Sequence, residues 1–117
     1  MKKFFGWRKV YGAMDRKFFQ RLGLCYRAGK LVHGEEAVLT AMRKGKVQLV
    51  FIAADASENT KKRLMDKCAF YQIPYHVTAD RASLGAALGK ESRVVIGVTD
   101  RGFADLFLRD MSTSEVK

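Results

Sequence analysis

The sequence predicts a three-layer α/β/α sandwich, and three observations carry that expectation. Segments with helical and with strand-like patterning alternate along the whole chain, the arrangement that places helices on both faces of a sheet. Two runs, residues 47–54 (Val-Gln-Leu-Val-Phe-Ile-Ala-Ala) and 93–99 (Arg-Val-Val-Ile-Gly-Val-Thr), are almost continuously apolar, as strands covered on both faces are. With 117 residues, 48% of them hydrophobic, and a single proline, the chain has the length of one domain and is too apolar for disorder.

The elements follow in order. Residues 1–12 are basic and aromatic without a clear period, so they read as an N-terminal arm that orders on contact. A domain is expected over residues 13–111, and residues 112–117, with nothing to bury, as a tail that frays. From Asp15, the residues Phe18, Leu22 and Cys25 keep helical spacing, with Lys17, Arg21 and Arg27 among the polar positions between them. Leu31 and Val32 form a very short strand, and Gly34 opens a helix through about Lys44, buried along Val38, Ala41 and Met42 and stopped by Gly45. Residues 47–54 are the candidate central strand. Asp55 or Ser57 can cap the next helix, whose inner face is Leu64, Cys68 and Tyr71, and Pro74 forbids its continuation. A short strand at 75–78, a helix capped by Asp80 with Leu84, Ala87 and Leu88, the strand at 93–99 and a last helix with Phe103, Leu106 and Phe107 complete the chain.

The charge balance narrows the function. Lys and Arg number 22 against 12 Asp and Glu, a net +10 with pI near 9.9, which favours a polyanionic partner: nucleic acid first, an anionic membrane surface second. The opening Met1-Lys2-Lys3-Phe4-Phe5 resembles the start of a signal peptide, but Arg8 and Lys9 interrupt any apolar core, and no run is long enough to span a bilayer. A cytoplasmic protein is expected. Cys25 and Cys68 match no zinc spacing and read as small buried hydrophobes; His33 and His76 add no paired spacing, so neither a metal nor another cofactor is expected. Residues 23–30 evoke a phosphate loop, but Leu31 stands where Ser or Thr must reach magnesium, and a helix precedes it rather than a strand. Neither a nucleophile elbow nor a repeated acid/base spacing appears, so no enzyme and no small-molecule substrate is expected.

The candidate site is the junction Lys30-Leu31-Val32-His33-Gly34-Glu35-Glu36, a strand handed through glycine to a helix N-terminus. A helix start offers unpaired N–H groups and partial positive charge to phosphates or base edges. The helix dipole alone favours Glu35 and Glu36 there; the same carboxylates can also accept from guanine imino and amino groups. Gly34, Glu35 and Glu36 are therefore assigned to base edges and close approach. Lys30, Arg43, Lys44 and Lys61 are assigned to phosphates, and His33 and Asp55 to flanking contacts. For the run Lys61-Lys62-Arg63 a solvated helix face is the ordinary explanation.

Residues 16 to about 109 resemble the ribosomal L-seven-Ae/L-thirty-e superfamily of kink-turn RNA binders, and within it a short bacterial branch. The resemblance lies in Gly23-Leu24-Cys25-Tyr26-Arg27-Ala28-Gly29-Lys30-Leu31-Val32-His33-Gly34-Glu35-Glu36-Ala37, in residues 49–60, and in Leu84-Gly85-Ala86-Ala87-Leu88-Gly89. It implies a small mixed four-stranded sheet, no catalytic activity, and RNA binding through the Gly34 turn, the loop around Asp55 and the loop after Gly89. Family members set an Asn-Glu pair, and a Lys one turn later, against tandem G·A pairs. In this chain Glu36, Ala37 and Thr40 occupy those positions, and Lys90, Glu91, Ser92 and Arg93 bring charge where kink-turn binders commonly offer aliphatic contacts. The resemblance adds Lys90 to the phosphate contacts and Thr40, Ser92 and Arg93 to the flanking ones, and the expected partner is a structured RNA, ribosomal or regulatory. The alternative is an adaptor for a protein of the transcription or translation machinery that has lost kink-turn specificity.

Overall fold

A computed structural model describes residues 16–116. The expected arm at 1–12 and the start of the domain at 13 lie outside the described residues. Helix α1 (Arg16–Arg27) leads to β1 (Leu31–His33), α2 (Glu35–Arg43), β2 (Leu49–Ile52), α3 (Glu58–Tyr71), β3 (Tyr75–Val77), α4 (Arg81–Ala87), β4 (Val95–Val98) and α5 (Arg101–Val116). The sheet order is β1-β4-β2-β3. Strand β4 runs antiparallel to both β1 and β2, whereas β2 and β3 are parallel, so the sheet is mixed.

The period of a strand builds the sandwich. Along β2, Leu49 and Phe51, with Ala53 beyond the strand, point to one face; Val50 and Ile52 point to the other. The first face packs against Phe18, Leu22 and Cys25 of α1, Leu84 of α4 with Leu88 at its end, and Ala104, Phe107 and Met111 of α5. The second is covered by Val38, Ala41 and Met42 of α2 and by Leu64 and Cys68 of α3. Both β2 and β4 are buried along their whole length, as their apolar runs demand. Three rings from three elements, Phe18, Phe51 and Phe107, meet edge to face with centroids 5.0, 5.1 and 5.7 Å apart. That geometry suits the ring quadrupoles and locks α1 and α5 onto the sheet.

Local chemistry resolves several boundaries. Ser57, not Asp55, caps α3: its hydroxyl accepts from the Thr60 N–H at 3.1 Å. Asp80 caps α4, accepting from Ser83 N–H at 2.7 Å. The buried face of α5 is Ala104, Phe107 and Met111, whereas Leu106 is 36% exposed. Asp100 caps the start of α5, its carboxylate accepting from Phe103 N–H at 2.9 Å. Helix α5 also continues through residues 112–116, which the sequence assigns to a fraying tail. No glycine or proline follows Gly102 to stop it, and a helix is carried on by backbone hydrogen bonds whether or not its side chains bury.

Candidate nucleic-acid interface

Four connections meet at one edge of the sheet, because parallel β2 and β3 end there, as does β1, and antiparallel β4 begins there. Gly34 N–H donates to Val95 O (3.1 Å), Ala53 N–H to Val94 O (2.8 Å) and Ala54 N–H to Ala79 O (2.9 Å). These bonds tie the β1–α2, β2–α3, β3–α4 and α4–β4 loops into one surface. Gly34 sits at φ 91°, ψ 148°, a backbone that strongly favours glycine, and no side chain among the described residues caps α2. The first α2 bond runs from Val38 N–H to Gly34 O, so the N–H groups of Glu35, Glu36 and Ala37 lie outside the helix's own bonding and, among the described residues, are open to an outside acceptor. Gly85 matters for packing: a Cβ there would lie 1.6 Å from the carbonyl oxygen of Glu91. Only a missing side chain lets the 88–94 loop lie against α4, where Lys90 N–H bonds Gly85 O at 2.9 Å.

Protein groups already hold the cations of this edge. Arg81 binds Asp55 through its backbone N–H to Oδ1 (2.9 Å) and through its guanidinium to the carbonyl oxygen (2.8 Å). The Nε of Arg63 lies 2.6 Å from Glu35 Oε2, joining α3 to the first turn of α2 and raising the guanidinium's pKa through that hydrogen bond and the Glu35 charge. Arg93 Nε donates to His33 Nδ1 at 2.9 Å. The neutral ring's proton therefore belongs on Nε2, leaving His33 a donor. Burial first, then the charges of Arg93 and Lys90, hold the His33 pKa below its ordinary 6.5. Tyr26 packs edge-on to His33 at 5.5 Å, with Lys90 Nζ 5.8 Å from the Tyr26 centroid. Lys61 folds back, donating to Ala54 O at 3.1 Å, with its side chain only 19% exposed.

Apart from Thr40, on the flank of α2, the residues singled out in the sequence thus fall into two groups. His33, Gly34, Glu35, Glu36, Asp55, Lys61, Lys90, Ser92 and Arg93 are brought together at the loop edge. Lys30, Arg43 and Lys44 are not: Arg43 and Lys44 end α2, and Lys30 precedes β1, where its carbonyl accepts from Thr99 at the far end of the sheet. A shallow groove on the flank of α2 connects the two ends, lined by Val32, Glu36, Ala37, Thr40, Lys44 and Lys46. Arg43 donates to Thr40 Oγ1 at 3.3 Å beside it. The two glutamates also part company, Glu35 engaged by Arg63 and Glu36 exposed at the groove. Arg63, Arg81 and Tyr26 were missed as site residues. Arg81 could have been found, because it follows a cap at the end of a strand parallel to β2, and such strand ends share an edge.

Other chemistries find little here. Cys25 and Cys68 lie on opposite faces of the sheet, and burial pushes both thiols up to about 12. Such thiols are poor nucleophiles and poor metal ligands at neutral pH. Among the described residues no group of three or more His, Cys, Asp or Glu could hold a metal ion. No described helix is long and apolar enough to cross a membrane.

A mixed sheet in an α/β/α sandwich, with a glycine-opened helix at a basic loop edge, defines the class. Residues 16–107 match the Ribosomal protein L7Ae/L30e/S12e/Gadd45 family, and the chain belongs to it. Among its relatives, the RNA-binding protein YlxQ of Bacillus subtilis is 47% identical over 89 residues, covering 76% of this chain and 89% of that protein. A solved structure described as a protein with unknown function from Bacillus halodurans C superposes with a TM-score of 0.79 at 46% identity, over 84% of this chain and 99% of that one. The Giardia lamblia 15.5kD RNA binding protein shares the fold, with a TM-score of 0.70 at 19% identity over 85% of each chain.

Proposed function

We propose that this chain is a cytoplasmic, non-enzymatic RNA-binding protein that recognises a structured RNA along the loop edge and the α2 flank. The observation that carries the reading is the uncapped start of α2 at Gly34, set among loops whose cations are already oriented. Membership of the family, and a relative described as RNA-binding, support it. The N–H groups of the first α2 turn and Arg81, Lys90 and Arg93 take phosphates, which fixes register. Glu36, exposed beside them, repels phosphate but accepts from guanine donors, and Thr40 supplies a hydroxyl further along the groove. The finer reading is a kink-turn or a similarly bent RNA, with Glu36 meeting a guanine edge.

Titration into a kink-turn RNA and into a matched duplex lacking the tandem G·A pairs tests this. The bent RNA should bind about tenfold tighter, the scale of a good base contact, and affinity for both should fall steeply with salt. Equal, weak binding to both would leave only electrostatic attraction and remove the proposed recognition.

A further inference from the structure

The basic run on α3 is only partly absorbed by the site above. Lys61 folds inward, but Asn59, Lys62, Arg63, Asp66, Lys67 and Phe70 are all exposed. At 100° per residue they share one outward stripe, opposite buried Leu64 and Cys68. Phe70, at 75% exposure, stands within this charged stripe, its ring edge-on to Tyr71 at 4.9 Å. The stripe begins at the loop edge, because Arg63 touches Glu35 in the first turn of α2, and runs about 10 Å from Arg63 to Phe70 by helical rise. Arg63 spends one of its donors on Glu35 and keeps the others. Lys62 is paired with Asp66 at 3.3 Å, and Arg63 and Lys67 are the other exposed cations of the stripe, both on the N-terminal side of the ring.

Resting on the RNA-binding reading, we propose that the outer face of α3 is a second RNA contact, taking an unpaired segment that leaves the loop edge. Arg63 and Lys67 hold its phosphates and Phe70 stacks under a base. Charge complementarity and continuity with the loop edge point to this occupant, and aromatic rings interleaved with cations are how unpaired strands are held without sequence preference. A duplex, whose bases are stacked inward, could not use Phe70.

The test compares a kink-turn RNA with the same RNA carrying an unpaired uridine extension. In the wild-type protein the extension should raise affinity roughly tenfold. Phe70→Ala and Lys67→Ala should each remove most of that gain while leaving affinity for the trimmed RNA unchanged, and Phe70→Trp should retain it. Both positions are exposed, and circular dichroism checks the fold of the three variants. A gain absent in the wild type, or undiminished in both alanine variants, overturns the inference and leaves α3 to a protein partner. Wild-type protein that does not distinguish the bent RNA yet holds a free uridine tract through Phe70 would overturn the loop-edge reading alone.

Discussion

The two ends of the sheet carry cations of different kinds. At the loop edge Arg63, Arg81 and Arg93 are each held on a protein acceptor, Glu35, Asp55 and His33. At the far end Lys30 lies 4.0 Å from Asp100, and Lys44 and Lys46 are exposed along the groove. A guanidinium already fixed loses little rotamer freedom when a phosphate arrives, while a free lysine loses more for the same contact. On the proposed RNA-binding reading, equal charges on the two ends should therefore do unequal work, the loop edge positioning and discriminating and the far end attracting.

The largest effect should come from removing the loop edge as a unit. Gly85→Ala forces a methyl group into the Glu91 carbonyl, and the 88–94 loop must lift. A loss of about 3 kcal/mol in urea unfolding, at the high end for overpacking, is expected, together with most of the RNA affinity. Retained stability would mean that the loop has somewhere else to go. Arg81→Ala comes next, since it deletes a cation together with the guanidinium's bond to the Asp55 carbonyl, while the backbone N–H at 81 keeps its bond to the Asp55 carboxylate. RNA affinity should fall about tenfold, in line with a lost charged hydrogen bond, with a stability change of about 1 kcal/mol because both partners are largely exposed. Lys30→Ala should do less, lowering affinity about threefold and the log–log salt slope by no more than about 0.9. If Lys30→Ala matched Arg81→Ala, the contrast between the ends would be lost.

The smallest effect is a titration. The His33 pKa is depressed in the folded protein, so the native state binds fewer protons than the unfolded chain below pH 6.5. Stability associated with His33 is thus fully present above pH 6.5 and is lost as pH falls through the lower folded value. Protonation also ends acceptance from Arg93 at Nδ1. Proton NMR of His33 should give a midpoint below 6.5, moving upward in Arg93→Ala; a wild-type midpoint at or above 6.5 would contradict the packing described here.

The sequence by itself determined the layers. Alternating Leu49, Phe51 and Ala53 against Val50 and Ile52 requires two covered faces, and helical spacing at Val38, Ala41 and Met42 or at Phe18, Leu22 and Cys25 supplies the covers. Gly34 as a helix start was equally legible, because its backbone requirement is local. Tertiary structure alone decided which charges work together. Lys30 and His33 are three residues apart yet lie at opposite ends of β1, while Arg63 and Glu35, or Arg93 and His33, are distant in sequence and bonded in space. Apolar periodicity is written in neighbouring residues, so it can be read along the chain. The partner of a surface charge is chosen by strand order and loop packing, and the order β1-β4-β2-β3 is a property of the folded chain.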